Sequence, residues 1–480
     1  MINQEEQTKP GLLRKLNLLD STFLVIGAIV GSGIFLTTGD IAKHLPSPGL
    51  ILIVWLVGGI ITLSGALSFA ELGAMFPKAG GQYVYLREAY GPWAGFLYGW
   101  GFFWVIECGG IAALAVGFAK YIPFLSTETY ILELKILGLN YSLSTGQLIA
   151  VASIIILSTI NYFGIKSGIV VQNIFTFLRI ASIAVIVILG FAIGKKAGVT
   201  HCNQLFPGDF SLSLDMFKLF GLALIAVIWT YDGWYSVSCT AEEVKKPERN
   251  IPLGLILGTL SVTLMYLLVN IVYIMALPVD EMLSADKMKG IERIGELAST
   301  QLFGQTSAFF ISAAIMVSIF GCLSATVLYG PRVYYAMAED RSFFKSMAYV
   351  HPRYRVPTKA LVGQALWSSI LCLSGTYKAL YEYVVFALVI FFAATGLAVI
   401  ILRFKQPARK RPYRTWGYPL VPLFFILINI AVFFNTVWTQ PRKSMVGLII
   451  LCLGIPAFLY WKAKARNARL SQSHGPSLPK

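Results

Sequence analysis

Apolar residues along this chain fall in long unbroken runs, not in the alternation of a half-buried strand or the three-to-four-residue beat of a surface helix. Twelve runs stand out, at 18–43, 49–76, 92–121, 145–165, 168–193, 216–243, 251–277, 305–338, 358–375, 379–403, 415–439 and 442–461. Each is near or beyond the ~20 residues that carry a helix across a bilayer. The pattern predicts an all-α polytopic membrane protein with about twelve transmembrane helices. Two runs are interrupted near their middles, the first by Gly31-Ser32-Gly33 and the sixth by Tyr231-Asp232-Gly233-Trp234. Breaking a helix in lipid is costly, because each freed N–H and C=O needs a partner there. A pair of broken spans therefore points to a site where backbone groups hold a small charged molecule.

Composition agrees with this reading. The chain is 56% hydrophobic and 13% charged, whereas soluble domains are nearer a quarter charged; mean hydropathy is +0.70. The net charge of +16 raises the question of nucleic acid. With the N-terminus inside, however, inner segments and span ends hold 26 of the 39 Lys and Arg, and outer ones hold 12 beside 11 acidic residues. That bias predicts both termini in the cytoplasm. Lys405, Arg409, Lys410, Arg411 and Arg414 then read as topology determinants beside anionic headgroups of the lipid bilayer. No basic soluble domain remains to bind nucleic acid, so no such partner is expected. Residues 1–10 are polar and no small-residue cleavage site follows the first apolar run, so no cleavable signal is expected either.

The organisation that follows is an N-terminal tail (1–17), a five-helix unit (18–193), a second such unit (216–403), an added pair of spans (415–461) and a polar, disordered C-terminal tail (462–480). Five crossings separate the first span from the sixth, so the two units, if equivalent, are inverted. Residues 80–90 read as a short amphipathic helix at the inner surface. Pro92 and Pro252 are expected in the first turns of spans three and seven. Residues 279–303, with eight charges, read as an outer loop with helical potential. The six cysteines sit singly, with only Cys202 in an outer loop, and the four histidines have no ligand partner at metal spacing. No metal site and no cofactor are expected. HExxH, GxSxG and Gly-rich phosphate loops are absent, which argues against an enzyme.

At the first break, unwinding leaves the N–H groups of Ser32, Gly33 and Ile34 as donors at the positive end of the following half-helix, a match for a carboxylate. The carbonyls near Ile29 suit an ammonium. The alternative is a small-residue packing face, since Gly27 and Gly31 are four apart. At the second break, aromatics crowd around Gly233. Asp232 near mid-bilayer costs on the order of 3 kcal/mol unless a wet cavity receives it. Trp229 is large enough to cover a ligand and to face an ammonium. Two further ionisable residues lie mid-span, Glu107 and Arg179. Each is either a structural pairing between helices or functional: Glu107 in a side-chain pocket, Arg179 as a fixed positive charge. Glu71, Glu242 and Glu243 lie nearer the interface and are expected to pair with Arg or Lys.

These residues resemble the amino acid–polyamine–organocation superfamily, and within it the L-type amino acid transporter branch. The matching stretches are GAIVGSGIF (27–35), FAELGAMFPKAGGQYVYLREAYGP (69–92), VQNIFTFLR (171–179), YDGWYSVSCTAEEVKKPERNIP (231–252) and RPYRTWGYP (411–419). The resemblance implies a LeuT-like five-plus-five inverted repeat with broken helices one and six plus two added helices. It implies that a substrate α-carboxylate meets Gly31, Ser32 and Gly33. The α-ammonium would meet carbonyls of Ile29, Trp229 and Asp232, with Trp229 as gate and Ser324 near a sodium-like position. The family usually has Lys where this chain has Arg179. Arginine keeps the charge but does not deprotonate, which favours sodium-independent exchange over proton coupling. A negative Glu107 would favour cationic amino acids, whereas a protonated one suits a small neutral polar substrate. Metazoan members join a single-pass partner through a cysteine between spans three and four. Residues 121–144 contain none, so a stand-alone transporter, monomer or homodimer, is expected in a bacterial inner membrane. A sensing receptor of the same fold is the remaining alternative, and it would need a larger soluble segment.

Overall fold

The first apolar run folds as two helices, α1 (Leu18–Ile29) and α2 (Gly33–His44), bent by 43° at the glycine break. This computed structural model describes residues 11–122, 130–136, 139–194, 205–206, 213–284, 294–304, 306–374, 377–439 and 441–473. Asn17 starts α1 through a reciprocal capping box, its side chain accepting the Asp20 N–H (3.0 Å) while Asp20 accepts its own (2.9 Å). After α3 (Pro48–Met75) comes α4 (Gln82–Tyr90). The third span joins α5 (Pro92–Gly101), a π-helical turn (Phe102–Glu107) and α6 (Cys108–Lys120). Next come α7 (Thr145–Tyr162), α8 (Ile165–Gly194), α9 (Leu214–Thr230) and the four-residue α10 (Ser236–Cys239). Then follow α11 (Pro247–Ala276), α12 (Val279–Ser284), α13 (Ile294–Phe303), α14 (Thr306–Tyr329) and α15 (Pro331–Glu339). The chain ends with α16 (Thr358–Leu373), α17 (Tyr377–Lys405), α18 (Leu420–Thr439) and α19 (Pro441–Ser473).

Among the described residues, nine helical stretches are long and apolar enough to cross a membrane, and the bent α1–α2 pair makes ten. The two remaining predicted spans are shorter. Helix α9 has 17 residues because the second break ends it, and α16 has 16. The chain is thus an all-α polytopic membrane protein. Its outer helix faces carry large apolar side chains such as Phe177, Ile188, Leu264, Phe310 and Trp438, which lipid can solvate. The interior is where α1, α3, α6, α8, α11 and α14 pack on one another.

Several expectations need correction. Residues Tyr130–Ile136 and Leu139–Ser144 form an antiparallel hairpin. The alternation of Leu132, Leu134 and Ile136 with Glu133 and Lys135 is its signature. Helix α4 forms with Tyr83, Val84, Tyr85 and Leu86 buried against α5 and α17, while Arg87, Glu88 and Tyr90 stay half-exposed. Pro252 is six residues into α11, because Pro247 takes the N-terminal place. Helix α19 continues past Trp461 to Ser473. Within 279–303, α12 and α13 are helical and α13 packs on α2; Cys202 lies outside the described residues.

One face of the molecule, carrying the N-terminal segment, is held by polar contacts. The backbones of Lys15 and Leu16 donate to the Glu243 carbonyl, at 2.8 and 2.9 Å. Arg332 clamps Glu243 with two bonds, at 2.7 and 3.0 Å, both side chains being buried. Arg403 holds Glu71 in the same way, at 2.9 and 2.6 Å. Glu71 and Glu243 thus pair with arginine as expected, while Glu242 accepts the Ala79 N–H at 3.3 Å.

Candidate substrate-binding site between the two helix breaks

The broken backbone of the first span is satisfied by side chains from three other helices. Gly27 O accepts from Arg179 (2.7 Å), Ala28 O from the Cys322 thiol (3.1 Å) and Ile29 O from Tyr266 (3.3 Å). Ser318 donates at 3.3 Å to Val30 O and 3.0 Å to Gly31 O. This is how a helix break survives in an apolar environment. Each carbonyl retains a second lone pair. The donors are treated differently. Ser32 stands before α2 without a side-chain cap, so the positive, N–H-bearing end of α2 is left for a ligand.

The second break leaves its helix at Thr230 and turns through residues 231–235 before α10. Asp232 N–H bonds back to the Trp229 carbonyl (3.0 Å), while its Oδ1 is buried without a partner. Behind it, Trp55, Tyr231 and Tyr266 form an edge-packed aromatic group with centroids 5.0–6.0 Å apart. Tyr266 also ties the two breaks together: its hydroxyl lies 3.3 Å from Ile29 O and 3.2 Å from Thr230 O.

Between the breaks lies a cavity. It is lined by Ile29, Gly31, Ser32 and Gly33 from the first, by Trp229, Asp232 and Gly233 from the second, and by Glu107 from the third span. Backbone donors, backbone acceptors, a half-buried indole and two carboxyl groups thus share one space. Such a set can hold a zwitterion; it contains no nucleophile–base pair, and no metal-ligand cluster occurs among the described residues.

Sequence comparison places this geometry. The profile of the amino acid permease family matches residues 16–458, nearly the entire chain. This chain belongs to the amino acid permease family. The permease is 34% identical to the serine/threonine exchanger SteT of Bacillus subtilis, over 95% of this chain and 98% of that one. It is 28% identical to the human b(0,+)-type amino acid transporter 1, over 94% and 88% of the two chains. It is 27% identical to the human cystine/glutamate transporter, over 97% and 89%. The permease is a transporter and not an enzyme.

Three of the residues singled out from the permease sequence lie off the cavity. Ile34 is fully buried and is not among the lining residues, though its assigned part was the backbone N–H in the first turn of α2. Arg179 sits behind α1, against the Gly27 carbonyl and so close to Gly321 that a methyl there would meet its Nη2 at 2.1 Å. Its Nε and Nη2 have no hydrogen-bond partner. Ser324 Oγ is likewise buried without one, so no hydrogen bond joins it to Arg179. Conversely, the cavity gains residues that the sequence reading passes over. Gly110, Leu114 and Gly117 continue the face of Glu107 at helical spacing, and Ile319, Cys322, Thr326 and Tyr329 make a matching face on α14. The spacing of the first set was readable; the second carries no charge or motif to mark it. The π turn that ends on Glu107 is also invisible in sequence, and such wide turns are frequent at functional sites.

Proposed function

We propose that this permease moves L-amino acids across the cytoplasmic membrane by alternating access, as a sodium-independent exchanger. One observation carries the reading: the uncapped N-terminus of α2 opens on a cavity shared with the second break. That end of the helix matches an α-carboxylate, and the remaining lone pairs of the Ile29 and Trp229 carbonyls match an α-ammonium. Trp229, half-buried in the cavity wall, is the gate. Sodium independence is supported by Arg179, which already places a fixed cation on the Gly27 carbonyl. An arginine does not release its proton at accessible pH, which disfavours coupling through it. The similarity to a serine/threonine exchanger supports the exchange part of the reading.

In this reading residues 18–193 and 216–403 are the two inverted halves, 415–461 an added pair, and both termini face the cytoplasm of a bacterial cell. The transporter stands alone or as a homodimer, without a covalent partner chain. Counterflow in proteoliposomes, run on a panel of amino acids with and without sodium and pH gradients, tests the proposal. Exchange indifferent to both gradients is the expected result. Uptake that collapses without sodium, or that follows the pH gradient without internal substrate, overturns the coupling.

A further inference from the structure

Glu107 lines the cavity, yet its Oε1 is buried without a hydrogen-bond partner. Next to it, on α16, Gln364 presents a second buried and unpartnered oxygen, Oε1. Both atoms crowd over Gly330: a methyl there would stand 2.7 Å from Glu107 Oε1 and 2.3 Å from Gln364 Oε1. The Gln364 amide nitrogen donates instead to the Val327 carbonyl, at 3.3 Å. Turning the amide round would set its oxygen against that carbonyl, exchanging one acceptor clash for another.

Two bare acceptors facing each other lack a proton between them. An ionised carboxylate in this place would also lack a counter-charge. The titratable groups around Glu107 are all acids: Tyr98 on α5, Cys108 on α6, Asp232 and Tyr235 at the second break, Cys239 on α10, Cys322 and Tyr329 on α14, and Tyr334 on α15; of these Tyr329 hydrogen-bonds to the Glu107 carboxyl but brings no positive charge. No Lys, Arg or His lines the cavity among the described residues. The cation near Cys239, Arg332, is already clamped by Glu243. A buried charge without a counter-ion is strongly disfavoured, whereas a carboxylic acid can donate.

We propose that Glu107 carries a proton in the resting permease and donates it to Gln364 Oε1, so that the pocket wall is neutral and selects amino acids with uncharged polar side chains. The substrate half of this statement rests on the amino-acid reading above; the proton does not. Gly330 permits the pair, since any side chain there would part the two oxygens. Gln364 is a positioning residue, acting on substrate only through Glu107.

Infrared difference spectra of the full-length protein in lipid test the proton directly. Wild type minus Glu107→Gln should contain a carboxylic-acid carbonyl band, and in Gln364→Leu that band should move to higher frequency as its acceptor is lost. Bands of an ionised carboxylate in the same difference spectrum overturn the proposal. So does an acid band unmoved by Gln364→Leu. In counterflow, wild type should exchange serine-sized neutral amino acids and should not exchange lysine or arginine. Exchange of lysine or arginine by wild type that Glu107→Gln abolishes overturns the selectivity. Should wild type exchange no amino acid at all, the transport reading fails while the infrared result still decides the proton.

Discussion

Gly233 lies against the carbonyl of Ala28. A methyl on Gly233 would stand 2.7 Å from that oxygen, and its φ of 94° is one that side chains rarely adopt. The contact has a counterpart, because a methyl on Gly33 would stand 2.6 Å from Thr230 Cγ2. Each break therefore seats a glycine on the other. The cavity is the space that this interlock leaves.

Gly33→Val should abolish substrate binding. Overpacking of this kind costs about 1–3 kcal/mol, which a protein of this size can absorb, so membrane abundance should stay near wild type. Substrate-induced thermal stabilisation reads the binding; retained stabilisation would remove the carboxylate assignment.

Trp229 is half-buried and lines the cavity, so truncation there should harm transport more than folding. Trp229→Ala should keep its melting temperature within a few degrees while counterflow falls by about tenfold or more. Normal counterflow would exclude a gating role.

Tyr266→Phe keeps the ring within the aromatic group but removes the donor shared by Ile29 O and Thr230 O. Leaving buried acceptors bare costs about 1–3 kcal/mol. The expected result is a lower melting temperature together with weaker substrate affinity, measured on the same preparation. An affinity equal to wild type would show that the two breaks are held by packing alone.

Arg332→Ala should be among the most damaging changes outside the cavity lining. It strands the fully buried Glu243 carboxylate, and breaking such a pair costs about 3–5 kcal/mol. By contrast, Lys218→Ala removes an exposed pair with Asp215 and should be close to neutral. Thermal unfolding in detergent compares the two, and equal effects would contradict the burial argument.

Arg179→Met removes the donor from the Gly27 carbonyl and the positive charge behind the first break. Transport should be lost and should not return with sodium, because no carboxylate is drawn into that space by the substitution. Rescue by sodium would mean that the region can still assemble a cation site.

Much of this could be read along the chain. Apolar run length determined the membrane class, since crossing a bilayer in helices needs little more than enough consecutive apolar residues. The glycines at 31 and 33 and the crowded Asp232 located both breaks, because such residues are expensive in lipid unless used. Charge placed Glu71 and Glu243 with arginines.

Contacts between distant segments were decided only in three dimensions. No rule of spacing says that Cys322, Tyr266 and Ser318 would satisfy the carbonyls of the first break, or that Arg179 would sit behind it and not in the cavity. Nor could the chain show that a π turn precedes Glu107, or that Gln364 would face it across Gly330. Local propensity acts over a few residues, and these relations join helices far apart in sequence. Their geometry is set by how whole helices pack, which is why the site was legible as a list of residues but not as an arrangement.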